Sequence, residues 1–119
     1  MAETTHHGGC HCGAVRYHAE LDLEKGGVTC NCSICSRSGW ILSFIPVAKF
    51  TVEKGSDQLV SYHFNKRHID HVFCKTCGIK SFARGKAPDG REMIAVNVRC
   101  LDDVDPSTVP TTEVDGKRL

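Results

Sequence analysis

The sequence predicts an all-β fold built of short antiparallel strands. Three observations carry this reading: apolar and polar residues alternate over short segments, glycine and proline punctuate the intervals, and a single stretch has helical character. Residues 14–19 alternate as a half-buried strand does, and residues 41–47 form an apolar run stopped by Pro46. Residues 50–55 lead into a turn at Gly55, and residues 59–64 alternate again. Residues 69–73 form the next strand. Residues 80–84 and 93–98 supply two more, separated by the turn of residues 87–90 with its Pro88 and Gly90. The helical candidate is a turn or two over residues 33–37. From Asp102 onward, Pro106 and Pro110 among Asp and Thr suggest an extended flap.

The length of 119 residues is that of one domain, residues 1–119, with about two-thirds of its unfolded surface buried on folding. Hydrophobic residues make up 40% and charged residues 24%, which excludes a disordered chain, a collagen-like repeat and a coiled coil. Fifteen Lys and Arg against fourteen Asp and Glu leave a net charge of +1, without the basic excess of a nucleic-acid reader or of a membrane-surface protein. No apolar run reaches membrane-spanning length, and the first residues lack the basic and apolar regions of a secretory signal, so a cytoplasmic location is expected. His6 and His7, in a glycine-rich N-terminus, are expected to fray into solvent and receive no role.

A reducing compartment directs the eight cysteines toward metal rather than disulfides. Seven lie in three clusters: Cys10-His11-Cys12-Gly13, Cys30-Asn31-Cys32-Ser33-Ile34-Cys35 and Cys74-Lys75-Thr76-Cys77-Gly78. In an extended C-x-C the Cα atoms stand near or beyond the roughly 6.8 Å limit of a disulfide. Two close thiolates from one turn and two from a distant one instead make the tetrahedral sulfur set of zinc. Gly13 and Gly78 support this, because a glycine after a ligand can take positive φ and turn backbone N–H groups toward sulfur.

Seven sulfurs cannot fill two four-sulfur sites, and four plus three is the natural partition. Cys10, Cys12, Cys74 and Cys77 would close a structural zinc site. Cys30, Cys32 and Cys35 would hold a second zinc through three thiolates, with its fourth position open, as in catalytic zinc. Cys100, His63, His68 or His71 could instead close the second site and make both ions structural. His71, three residues before Cys74, is the histidine to watch, and Cys100 ends an apolar pattern where a small core residue is common. A redox C-x-x-C is disfavoured because no βαβ alternation follows it.

With these clusters the chain resembles the glutathione-dependent formaldehyde-activating enzyme family, which includes the centromere protein V domain. The resemblance rests on residues 10–17, on Cys30-Asn31-Cys32-Ser33-Ile34-Cys35 with Ser38-Gly39 behind it, and on Phe73-Cys74-Lys75-Thr76-Cys77-Gly78 followed by Phe82; it spans roughly positions 8 to 100. It implies a β-tent fold, a structural zinc on the first and third clusters, and a second zinc at the reaction site on Cys30, Cys32 and Cys35. It also implies a carbon–sulfur lyase that joins glutathione and formaldehyde into S-(hydroxymethyl)glutathione. Arg37, Lys66 and Arg67 are candidate partners for the glutathione carboxylates. A small-thiol carrier and a zinc-stapled interaction module are the readings of other classes.

Overall fold

The computed structural model describes residues 3–63, 69–87 and 89–115. Phe64, Lys66, Arg67, His68 and Pro88, to which the sequence reading gave places or roles, lie outside the described residues. The expected all-β architecture is present as two sheets. The smaller joins β1 (Thr4–Gly9), β2 (Arg16–Leu21) and β5 (Phe50–Lys54) in the order β1-β2-β5. The larger contains β3 (Gly27–Cys30), β4 (Leu42–Pro46), β6 (Leu59–Tyr62), β7 (Asp70–Cys74), β8 (Phe82–Lys86), β9 (Glu92–Asn97) and β10 (Thr111–Val114), in the order β10-β3-β4-β9-β8-β7-β6.

Alternation explains the core between the sheets. Tyr17, Ala19 and Leu21 point inward from β2 while Arg16, His18 and Glu20 remain on the outer face. They meet Ile45, Val72, Phe82, Ile94 and Val96 from the larger sheet. Tyr17, Phe50 and Phe82 form an aromatic trio, with Phe50 and Phe82 centroids 4.7 Å apart and Tyr17 4.9 Å from Phe50. Central β9 is buried on both faces. Its Ile94 and Val96 enter this core, whereas Ala95 packs on the opposite face with Trp40, Leu42 and Ala83. Most strands therefore fall where alternation predicts them, shifted by a residue or two.

Three segments differ from expectation. His6 and His7 do not fray: they belong to β1, antiparallel to β2, with His7 opposite His18. The His18 ring lies 2.6 Å from the Glu53 carboxylate and His7 Nδ1 3.8 Å from it, so hydrogen bonding between strands orders a segment whose composition alone looked like tail. Residues 27–30 form a strand too short to show a period. Residues 102–115 are not a flap: Asp102 is ion-paired to Arg16, a 3-10 turn covers Pro106–Thr108, and β10 pairs with β3. That last pairing is parallel, the one departure from antiparallel order among the described strands.

Candidate metal centre

The first and third cysteine clusters meet because β1 and β7 deliver them to one end of the molecule. Cys10 and Cys74 are buried with Val15 in a small apolar cluster that Ala14, Leu59 and Cys77 extend. Cys10 and Cys12 sulfurs are 3.6 Å apart, and Cys12 and Cys74 sulfurs 3.7 Å. Four sulfurs around a zinc at 2.3 Å would stand about 3.8 Å from each other, so the spacing fits that ion. It is far too wide for the roughly 2.05 Å of a disulfide. All eight cysteines are free thiols.

The backbone around this group is arranged for thiolates. Gly13 and Gly78 take φ of +84° and +79°, as their positions after the ligand pairs require. The N–H of Val15 donates to Cys10 Sγ at 3.3 Å and that of Thr76 to Cys74 Sγ at 3.4 Å. Such donors offset part of the negative charge that four thiolates would gather around a divalent ion.

The second group comprises Cys30, Cys32 and Cys35, whose sulfurs also lie within 4.8 Å of one another. Cys30 ends β3, Cys32 is the N-cap of the helix α1 (Ser33–Ser38), and Cys35 sits one turn into it. The expected helical turn is thus present. The Gly39 N–H closes it by donating to the Cys35 carbonyl at 3.0 Å. Asn31, between the first two cysteines, is tied to the far end of the chain: its N–H donates to the Val114 carbonyl at 3.2 Å and its amide to Asp115 at 2.9 Å. The indole N–H of Trp40 donates to Cys35 Sγ at 3.2 Å. Burial pushes the metal-free Cys35 thiol up to about 12, with the Trp40 donation acting the other way.

Of the alternative fourth ligands, Cys100, His63 and His71 join neither sulfur group, and His68 lies outside the described residues. His71 is 5% exposed, donates through Nδ1 to the Tyr62 carbonyl at 3.2 Å and stacks on Trp40. Burial, with Lys80 and His63 nearby, holds it below the usual histidine range. The Cys100 thiol faces the Lys80 carbonyl at 3.8 Å, and burial raises it to about 11.

A cavity of about 610 Å³ adjoins the second group, lined by Ser33, Ile34, Arg37, Ser38, Tyr62, Phe73 and Lys80. Sequence reasoning named Arg37 but missed Lys80 and Trp40. The lone tryptophan five residues after Cys35 was the available signal, whereas a single lysine on a strand approach carries none. No described helix is long and apolar enough to cross a membrane.

A model of the glutathione-dependent formaldehyde-activating enzyme family matches residues 5–115. The crystal structure of a Rhodobacter sphaeroides protein is similar, with 35% sequence identity and a TM-score of 0.77 over 89% of this chain and 99% of that one.

Proposed function

The chain belongs to the glutathione-dependent formaldehyde-activating enzyme family, and on that basis we propose that it is a zinc-dependent carbon–sulfur lyase acting on a small thiol, glutathione or a close relative, and an aldehyde such as formaldehyde. The observation that carries this reading is the second sulfur group: three cysteine sulfurs from one short segment, within 4.8 Å of one another and without a fourth protein ligand among the described residues. Cys10, Cys12, Cys74 and Cys77 are proposed to hold a structural zinc, and Cys30, Cys32 and Cys35 a second one at the reaction site.

Zinc in the second group would supply a soft cation with affinity for one further sulfur, which keeps a substrate thiol in its nucleophilic, deprotonated form. In the overall reaction a sulfur–carbon bond forms, the carbonyl π bond breaks and the thiol proton ends on the aldehyde oxygen, so no oxidant or reductant is consumed. The chain's own residues hold and shield. α1 fixes Cys32 and Cys35 one turn apart, and the Trp40 N–H orients the Cys35 sulfur. Trp40, Leu42, Ala83 and Ala95 form an apolar patch against which Cys35 packs, removing water from that side.

Metal analysis with exchange spectroscopy tests the proposal. Purified protein is expected to carry two zinc ions per chain and to accelerate interconversion of glutathione plus formaldehyde with the hydroxymethyl adduct. One tightly bound ion, or an exchange rate equal to the spontaneous one, would overturn it.

A further inference from the structure

A cluster of nitrogen and oxygen donors stands on the outer face of the smaller sheet, apart from both cysteine groups. His7 of β1 and His18 of β2 are directly opposed across the antiparallel ladder, with ring centroids 5.8 Å apart. Opposed residues of such a pair have Cβ atoms about 4.5–5.5 Å apart, a spacing from which two imidazoles can reach one ion. Glu53 of β5 completes the group from the other side of β2. One carboxylate oxygen, Oε2, lies 2.6 Å from His18 Nδ1 and 3.8 Å from His7 Nδ1.

The backbone departs from a regular ladder to put Glu53 there. Tyr17, His18 and Ala19 pair with Val52, Thr51 and Phe50, a register that, if continued, would set Glu53 opposite Arg16. Instead Arg16 faces Lys54, and Glu53 is the extra residue of a bulge, an irregularity that re-aims a side chain. Arg16, the stronger partner for a carboxylate, is taken by Asp102. Glu53 is left to the two histidines, its ion-pair partners among the described residues. The His7 backbone is held from its other edge as well: the Asp102 N–H donates to the His7 carbonyl at 2.9 Å, beside the bridge between Gly8 and Leu101. His6, paired with Ala19, belongs to the opposite face of β1, where Thr4 Oγ1 lies 2.9 Å from its Nε2.

Two imidazoles and a carboxylate suit zinc, copper, nickel or iron, whereas calcium and magnesium take oxygen ligands. Donors bonded to such an ion at about 2.0–2.2 Å stand roughly 3–3.5 Å from each other, and the separations of 2.6 and 3.8 Å bracket that range. Among the described residues only the cysteines form groups in which every donor lies within 4.8 Å of the others, so the two rings must turn toward each other as an ion enters. His7, 55% exposed, has room to turn. Arranging the ligands consumes part of the binding free energy, which makes the site weaker and faster to exchange than the thiolate groups. We propose that His7, His18 and Glu53 form a third, exchangeable site for a divalent transition ion, which ties β1, β2 and β5 together across the face of the smaller sheet.

Nickel(II) is the probe, titrated by calorimetry into full-length protein whose cysteine groups are saturated with zinc and whose excess zinc has been dialysed away. One nickel ion per chain is expected, with the zinc retained and no thiolate-to-nickel absorption band. His7→Asn, His18→Asn and Glu53→Gln are each expected to weaken nickel binding by about tenfold or more, since losing a direct ligand costs at least what losing its hydrogen-bond partner does. Glu53→Gln preserves shape and carries the test where a histidine variant fails to fold. Nickel should raise the thermal midpoint of wild type and not that of Glu53→Gln. His6→Asn, altered on the other face, should bind nickel as wild type does. Undiminished binding in His18→Asn and Glu53→Gln would overturn the inference. So would loss of binding in His6→Asn, which would mark chelation by the adjacent His6-His7 pair, and so would a thiolate-to-nickel band with release of zinc, which would place the ion on the cysteines.

Discussion

The indole of Trp40 joins helix α1 to the larger sheet: its N–H meets Cys35 Sγ at 3.2 Å, and its ring stacks on His71 with centroids 6.1 Å apart and planes 28° from parallel. A side chain 3% exposed thereby connects the helix that carries a candidate ligand to strand β7, whose end carries another.

Trp40→Phe preserves much of the ring and deletes the donor. Loss of such an outer hydrogen bond typically costs 10- to 100-fold in metal affinity or activity. Competition with a chromophoric chelator is expected to show the second zinc weakened by about that range while the first is retained. An unchanged second affinity would make the N–H···S contact incidental.

Cys74→Ser and Cys32→Ser should separate the two groups. Cys74 is fully buried among apolar neighbours, and metal binding there is folding free energy, on the order of 10 kcal/mol in small zinc domains. Its serine variant is expected to lose one zinc and its cooperative thermal transition. Cys32, partly exposed on the short loop before α1, should lose the other zinc and the activity while the transition persists. Equal unfolding of both variants would contradict a separate reaction-site metal.

Gly55→Ala probes the frame behind the first group. Gly55 sits at φ +86°, and a Cβ there would run into the Ala14 carbonyl oxygen, next to the Val15 that donates to Cys10. Left-handed strain and the collision together should cost about 1–3 kcal/mol in chemical denaturation. A stability equal to wild type would show that this turn relaxes freely.

His71 supplies a pH dependence with a definite sign. Burial favours its neutral form, and Lys80 and His63 act the same way, opposed by the Tyr62 carbonyl and Asp70. The unfolded chain binds a proton near pH 6.5 and the folded one only below that. His71 therefore contributes stability that is present above about pH 6.5 and lost as the pH falls through its lower folded value. In zinc-saturated urea titrations, wild type should lose more stability between pH 7.5 and 5.5 than His71→Gln does. Thiolate protonation is common to both proteins and cancels in the comparison, so equal losses would refute the assignment.

The cysteine partition was legible in the sequence because ligand spacing is local chemistry: a C-x-x-C-G turn brings its sulfurs together whatever surrounds it. The strands with clear alternation, such as Tyr17, Ala19 and Leu21, were legible for the same reason. β1 and β10 were not, because their order comes from partners distant in the chain: Glu53 and His18 for the histidines, β3 for the tail. Lys80 escaped notice since its place in the lining of the cavity that Arg37 also borders comes from the fold, which no periodicity encodes.

The two sulfur groups also differ in what the unfolded chain must do to assemble them. Cys30, Cys32 and Cys35 are neighbours along the backbone, whereas Cys12 and Cys74 are separated by 62 positions and need a large loop to close. The compact triplet can gather its sulfurs at little entropic cost before any sheet forms, whereas the four-sulfur group is complete only once β7 has docked against the N-terminal strands. The first arrangement is a property of a short stretch of chain, and the second a property of the finished fold.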